Sequence, residues 1–581
     1  MSDYRHPRRH RQGGSAGGPA AADGAAGRGG SRRPRSSRPA DPRRTAYDVL
    51  AAVRDRAAYA NLLLPRLLAE RGLAGRDAAL TTELAYGTLR GQGSYDAVLA
   101  ACSDRPLDKL DPPVLDVLRL GTHQLLSTRV GAHAAVATSV DLAKSVAGPR
   151  VSGYVNAVLR RVATRDLDAW LDIVAPGPVA DPDGDLAVRY SHPRWVVAAY
   201  RDALGPAAGA ELDEALAAGN ARPRVTLSAF PAGPPRGEIM PADAEAGRWS
   251  PYAFTLPGGD PAPLIRSGAA AVQDEGSQLA AIALSRAPVI PGPATRQHAG
   301  SQQASLRHDT PRPAAPRPAA PRHGGDDTAE RWLDMCAGPG GKARLLYGLA
   351  VEHGARLTAA ELHPHRAALV REALSRASLL APSAVPAPQS RASRLPGTPE
   401  PPAGADDAGL PATPGPPVRE DESRAAGTPG PPGERDPGFE VLVADSTRPP
   451  WPDDAFDRVL VDVPCSGLGA LRRRPEARWR KSEADLPALA ALQCALLRSA
   501  LAAVRPGGVV GYVTCSPVPA ETSDVIADVA KSAPGIEFLD TPRILADVPG
   551  VAAAADPRFA QLWPHRHGTD AIFIALLRRS A

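Results

Sequence analysis

The sequence predicts a three-part chain: an all-α domain, a small α+β segment, and an α/β domain on a doubly wound, mostly parallel sheet. Three observations predict it. Apolar residues between 42 and 164 recur at helical spacing, and beyond about residue 266 short apolar runs alternate with helical ones. Each glycine- or cysteine-bearing motif of that last region also falls at the C-terminal end of a predicted strand, where ligands of such sheets sit.

Residues 1–41 are Arg, Gly, Ser, Pro and Ala without periodicity, which predicts a disordered basic tail. The first 44 residues hold eleven arginines and three aspartates, a net of +8 against +5 for the whole chain, so the body is slightly acidic. Such a tail can attract RNA phosphates at low salt, or simply solubilise the chain.

From 42 to 164, Ala46, Val49, Leu50 and Val53 follow helical spacing, as do Leu63, Leu67 and Leu68. The pattern returns around 79–95, 113–128, 135–146 and 151–162, predicting five to seven helices. Residues 165–265 are mixed, with a helical stretch opening at 190–195 and a short strand at 223–227. The α/β domain covers 266–581. Its predicted strands are 331–336, 356–361, 440–444, 458–463 and 508–514, and its helices include 342–351, 365–377 and 486–504. Low-complexity insertions at about 288–328 and 381–437 interrupt it; neither can bury a core, so both are predicted to be disordered surface loops. Loop closure grows costly only slowly with length, so the fold can survive them.

Five scattered cysteines provide no disulfide framework and no C-x-x-C zinc pair, so no metal site is expected. A reducing compartment fits, and it would keep a catalytic thiol usable. No run of about 18 apolar residues occurs, and the arginine-rich N-terminus lacks the apolar region of a secretory signal. A cytoplasmic monomer without a membrane span is the expectation.

Three motifs carry chemistry. Cys336-Ala337-Gly338-Pro339-Gly340-Gly341-Lys342 closes an apolar run, and its glycines let backbone amides approach a ligand. Ala343 after the lysine rules out the nucleoside-triphosphate phosphate loop. Glu361 ends the next strand, where an acid can accept hydrogen bonds from ribose hydroxyls. Asp462-Val463-Pro464-Cys465-Ser466-Gly467 puts a cysteine in a rigid turn among small residues, which suits an exposed loop better than a core. Arg472–Lys481, dense in arginine around Trp479, suits phosphate neutralisation and base stacking, or else a solvated face. Cys515 ends the following strand, 50 positions after Cys465. Neighbouring parallel strand ends would bring the two cysteines together. Gln273 and Ser277 could line a cofactor or RNA groove, or Asp274 could simply cap a helix. Cys102 and Cys494 read as packing residues.

The stretches 333–342, 461–467 and 513–517 together resemble the RNA 5-methylcytosine methyltransferases of the NOL/NOP/Sun family. The segments 44–50, 83–90 and 155–161 look like the NusB-type RNA-binding domain that precedes the catalytic domain in the family's Sun/Fmu branch. The resemblance covers about 42–287, 329–380 and 438–581. It implies a Rossmann-like class I methyltransferase domain behind an all-α NusB-like domain and a small α+β linker domain. It also implies S-adenosylmethionine as cofactor. Residues 336–342 would hold its methionine part, Glu361 its ribose and Asp445 its adenine amino group, with Asp462 near the sulfonium and the cytosine N3/N4 edge.

By the same resemblance Cys515 is the nucleophile and Cys465 assists product release. Cytosine C5 reacts poorly until a thiolate adds to C6, so covalent catalysis splits one hard step into two. A free thiol titrates near about 8.5, and Lys342 or the arginine run could lower that. The target base must be unstacked to be reached. Small-subunit (16S) ribosomal RNA is the implied substrate. A transfer-RNA or DNA cytosine methyltransferase, or an inactive RNA-binding assembly factor, are the alternatives; DNA enzymes attack from the Pro-Cys motif, and the added Thr-Cys-Ser motif favours RNA. Residues 518–522 (Val-Pro-Ala-Glu-Thr) depart from the commoner family run. His565, His567 and Asp570 resemble the closing motif, with no catalytic role assigned.

Overall fold

The computed structural model describes residues 41–258, 260–290, 329–381, 438–533 and 535–580. The disorder expected of the tail and of both insertions lies outside the described residues, apart from their short flanks.

Seven α-helices build the N-terminal domain: Pro42–Arg56, Ala60–Glu70, Gly75–Arg90, Gln92–Cys102, Pro112–Ser127, Ala132–Ala147 and Ser152–Val162. Asp41 caps the first, its carboxylate accepting from Arg43 N at 2.9 Å, and Pro42 supplies a preset first-turn φ. The periodic apolar positions then meet in one core, with Val49, Leu84, Val98, Val117, Leu118, Val155 and Leu159 fully buried. Each such side chain contributes about 1.5–3 kcal/mol. The next helix, Leu167–Val174, adds Trp170 to this core, its Nε1 donating to Val162 O at 2.8 Å.

The middle segment pairs helices Arg194–Leu204 and Ala208–Gly219 with a small antiparallel sheet. Its strands are β1 (Val225–Ala229), β2 (Glu245–Ala246), β3 (Ala253–Leu256) and β4 (Ala270–Val272), in the order β2-β3-β1-β4.

The large sheet contains β5 (Arg331–Asp334), β6 (Arg356–Glu361), β7 (Phe439–Val443), β8 (Phe456–Asp462), β9 (Val504–Thr514), β10 (Ile536–Phe538), β11 (Ala560–Gln561) and β12 (Phe573–Arg579). Its order is β10-β12-β9-β8-β5-β6-β7, with β11 beside β12. The five strands β5 to β9 run parallel, and β12 pairs antiparallel with β9. This is the doubly wound sheet the alternation predicts. The strands read as continuous apolar runs because both faces are covered. Trp332 and Leu460 face helices Glu275–Arg286 and Gly341–Glu352, while Leu333, Val459 and Val461 face helices Leu486–Ala503 and Ser523–Ser532.

β9 starts at Val504, earlier than the predicted 508. Pro506-Gly507-Gly508 reads as a turn, but a register shift between Phe456 and Arg458 absorbs it as an irregularity within the pairing. The stretch Glu483–Ala503 is long and apolar enough to cross a membrane by length and composition. Here Leu496, Leu497, Ala500 and Ala503 pack it against the sheet.

The chain runs β5-β6-β7 in one direction and then crosses to β8 and β9 on the other side of β5. The carboxyl ends of β5 and β8 therefore flank the switch point where such sheets bind ligands.

Candidate active site

Five strand ends bring the expected residues to one edge of the sheet. In register, Asp334 pairs with Leu460 and Glu361 with Val443, while Asp462 pairs with Val513. Asp334 and Asp462 thus end adjacent strands, Glu361 ends β6, and Asp445 lies two residues beyond β7.

The turn 336–342 follows β5 directly. Ala337 N donates to Ala360 O at 2.9 Å, fastening the turn to β6, and Gly340 N donates back to Ala337 O at 2.8 Å. Gly340 has φ +113°, and a Cβ there would press on Ala373 and Val370. Gly338 is needed for a different reason: a Cβ would collide with Glu361 Oε2 and with Arg366. Pro339 completes the bend, and Gly341 begins helix Gly341–Glu352. Glu361, 4% exposed, accepts from Gly338 N at 3.1 Å and His363 N at 3.0 Å. Asp445 is exposed, and its Oδ1 accepts from Thr447 N and Oγ1 at 2.9 and 2.7 Å. Those bonds hold its carboxyl below the usual range.

Lys342 reaches across to Asp462, with Nζ 2.9 Å from Oδ2. Burial works against the ammonium, but Asp462 outweighs it and the Lys342 pKa is raised. Cys465 and Cys515 meet beyond this pair, their sulfurs 3.3 Å apart. The geometry follows from pairing: Val463 N donates to Val513 O at 2.9 Å, so the two loops leave β8 and β9 side by side. Gly469 N donates to Cys515 O and Ala571 N to Gly469 O, each at 2.9 Å. The Cys515 thiol is lowered by its hydrogen bond with Cys465; Lys342 and Arg474 also lower it, against burial and the charge of Asp462. Cys465 moves the opposite way, pushed well up by the same hydrogen bond and by burial. Cys336 is also pushed well up, by burial and the acids around it. Lys342 and Arg474 favour a thiolate on Cys515, with Cys465 as the thiol that hydrogen-bonds to it. Both Lys342 and the arginine run contribute, as the sequence allowed. Cys102 and Cys494 are buried.

The residues around the glycine turn suit a polar ligand. Asp334 Oδ2 is fully buried there without a hydrogen-bond partner. Glu361 and Asp462, paired with Arg366 and Lys342, flank that point, so the unpartnered Asp334 oxygen is the acceptor left for a ligand.

Asp334 was missed in the sequence. Burial first, then Asp462, pushes its carboxyl up to about 7. An apolar strand ending in Asp ahead of the glycine turn was the available signal. The sign is definite: the fold favours the protonated form, so stability falls as pH rises from near 4 toward 7. Asp334→Asn, which keeps the Cys336 N contact to Oδ1 (3.2 Å), should therefore gain thermal stability over wild type progressively above pH 5. Paired melting curves from pH 5 to 8 test this; an unchanged difference across the range would contradict it.

Asp274 does cap helix Glu275–Arg286, accepting from Gly276 N at 3.0 Å, so that reading holds. It also joins a buried knot with Asp570 and Arg472, whose Nη2 lies 3.3 Å from both carboxylates. Burial and Asp570 raise Asp274 to about 6 despite the two arginines. Gln273 and Ser277 are buried beside it.

The arginine run is the clear correction. Much of Arg472–Arg480 is taken up by protein contacts, with Arg473 still part-exposed. Arg478 is fully buried and donates to Ser191 O at 2.9 Å, Asn220 Oδ1 at 2.6 Å and Gly219 O at 3.3 Å. Arg474 and Arg480 stack over Tyr59, and Glu476 Oε1 accepts from Ala60 N at 3.0 Å, at the start of helix Ala60–Glu70. Trp479 rests on Gly93. The segment clasps the helical and middle domains to the catalytic one. Arginine and tryptophan serve desolvated protein contacts as well as nucleic acid, and composition alone does not separate the two.

Residues 325–390 and 438–578 match the family model described as 16S rRNA methyltransferase RsmB/F, and residues 40–164 match the NusB family. Mycobacterium tuberculosis Rv1407, which carries a provisional methyltransferase name, is 44% identical over 94% of this chain and 99% of its own. The chain belongs to the RsmB/F family. It is an RNA methyltransferase of the Sun type with an N-terminal NusB domain. The ribosomal RNA small subunit methyltransferase B of Pseudomonas putida is 29% identical over 93% of this chain and 99% of its own. The crystal structure of PH0851 has the same fold, with a TM-score of 0.64 at 18% identity, covering 93% of this chain and 99% of that one. The RsmB/F match breaks between 390 and 438, largely where the second insertion was expected.

Proposed function

We propose that this RsmB/F-family chain methylates C5 of a cytosine in small-subunit ribosomal RNA, with S-adenosylmethionine as donor, through a covalent bond between Cys515 and C6. The observation that carries the proposal is the contact of two cysteine sulfurs at 3.3 Å, one favoured as thiolate and one held as thiol, at the switch point beside the glycine turn.

In this reading, Cys515 attacks C6 and makes C5 enamine-like. The Lys342–Asp462 pair lies beside the sulfurs, and Asp462 can accept from the cytosine amino edge while Lys342 keeps that carboxylate oriented. Residues 336–342, Asp334 and Glu361 would hold the donor, with Asp445 at its adenine end. Bound there, S-adenosylmethionine supplies the electrophilic methyl group that the activated C5 takes up. H5 then leaves as a proton, taken by a base or water at the site; its electron pair re-forms the C5=C6 bond and expels Cys515 as the thiolate. Cys465, in contact with that sulfur, assists release. Substrate choice rests on the relatives named for the ribosomal small subunit.

Bisulfite sequencing of ribosomal RNA from cells with and without this gene tests the assignment. One 16S cytosine should lose its mark in the deletion and regain it with the wild-type gene. Loss of a mark from transfer RNA or DNA instead would overturn the substrate.

A further inference from the structure

Glu521 ends a short turn, Pro519–Glu521, six residues past Cys515, within the stretch that departs from the commoner family run. Its side chain is fully buried. Among the described residues no lysine, arginine or histidine forms an ion pair with it. Neutral donors satisfy it instead: Oε1 accepts from Ser466 N at 2.7 Å and Gln493 Nε2 at 3.2 Å, and Oε2 accepts from Ser466 Oγ at 2.5 Å and Ser516 Oγ at 2.6 Å. Ser466 follows Cys465 and Ser516 follows Cys515. The two hydroxyl oxygens lie 3.2 Å apart, next to sulfurs 3.3 Å apart. Gln493 also donates to Pro464 O at 2.9 Å, and Tyr512 donates to the Glu521 carbonyl at 2.7 Å.

We propose that Glu521 is the positioning residue of the cysteine pair, a single carboxylate that ties both cysteine-bearing loops together and fixes which sulfur holds the proton. The inference rests on the adduct reading above and deepens it. A buried acceptor with four donors cannot move without leaving several of them unsatisfied, so it locks the loops at little cost in flexibility. Its charge also bears on the pair: the Cys465 thiol is held up by Cys515 and burial first, and Glu521 adds to that.

Glu521→Gln tests it, since the amide keeps the shape but removes the charge and replaces one acceptor oxygen by an NH2 group. Labelling with iodoacetamide at pH 7, followed by peptide mapping, should find wild-type label on Cys515 first. In the variant the label should divide between Cys515 and Cys465. kcat should fall about a hundredfold, as for displacement of reacting groups by a fraction of an ångström to an ångström, with KM for RNA nearly unchanged. Ser516→Ala, a milder change at the same oxygen, should shift labelling in the same direction if Glu521→Gln fails to fold. A wild-type labelling ratio in the folded variants overturns the proposal, whatever the activity. Labelling needs no methyl transfer, so the outcome is independent of whether Cys515 is the nucleophile.

Discussion

Cys515→Ala should abolish methylation, and Cys465→Ala should accumulate a protein–RNA species that survives denaturing gels. The first follows from covalent catalysis. Without a thiolate at C6 the C5 carbon lacks the electron density to take a methyl group, and loss of such a nucleophile costs on the order of 10⁴-fold or more in kcat. The second follows from the 3.3 Å contact between the sulfurs. Removing the neighbour that assists departure of Cys515 slows the step that breaks the C6–S bond more than the step that forms it, so the adduct builds up. The Cys465→Ala/Cys515→Ala double variant should form no adduct, which assigns the bond to Cys515. Normal turnover by Cys515→Ala, or an adduct that persists in the double variant, would remove the mechanism. The reverse assignment has its own signature: trapping by Cys515→Ala and loss of chemistry in Cys465→Ala.

Residues that end strands are the ones whose convergence the sequence foreshadows. The glycine turn, Glu361, Asp462, Cys465 and Cys515 were all read as local motifs, and parallel pairing of β8 with β9 is what local motifs need to become one site. Residues whose roles depend on distant partners were not legible. Asp334 looks like an ordinary strand-terminal acid until burial and Asp462 raise it. Glu521 stood in a stretch noted as unusual, but nothing local says that its carboxylate meets Ser466 55 residues away. Arg472–Arg480 failed for the same reason. Charge density is visible in a sequence, while the carbonyls and ring that absorb it, at Ser191, Gly219 and Tyr59, belong to other domains.

Arg478→Ala should therefore weaken the protein itself and leave its electrostatic attraction for RNA largely alone. Burial pulls this guanidinium down to about 10, which still leaves it charged at neutral pH. Truncation would strand Ser191 O, Gly219 O and Asn220 Oδ1 and leave a cavity, for an expected loss of about 3–5 kcal/mol. Lysine, with a single point charge, cannot reproduce the fork and should recover only part of it. The damage should also reach the site, because the Arg478 segment continues the turn at 468–470 that pins Cys515 through Gly469, and Tyr200 of the middle domain holds Leu468 O at 2.7 Å. Urea unfolding of wild type, Arg478→Ala and Arg478→Lys gives the stability ranking, and RNA binding across salt concentrations separates the two roles. A phosphate contact would reduce the slope of log affinity against log salt by about one per lost charge, whereas a buried clasp lowers the unfolding midpoint and leaves the slope in place. An unchanged midpoint with a shallower slope would return Arg478 to the RNA surface.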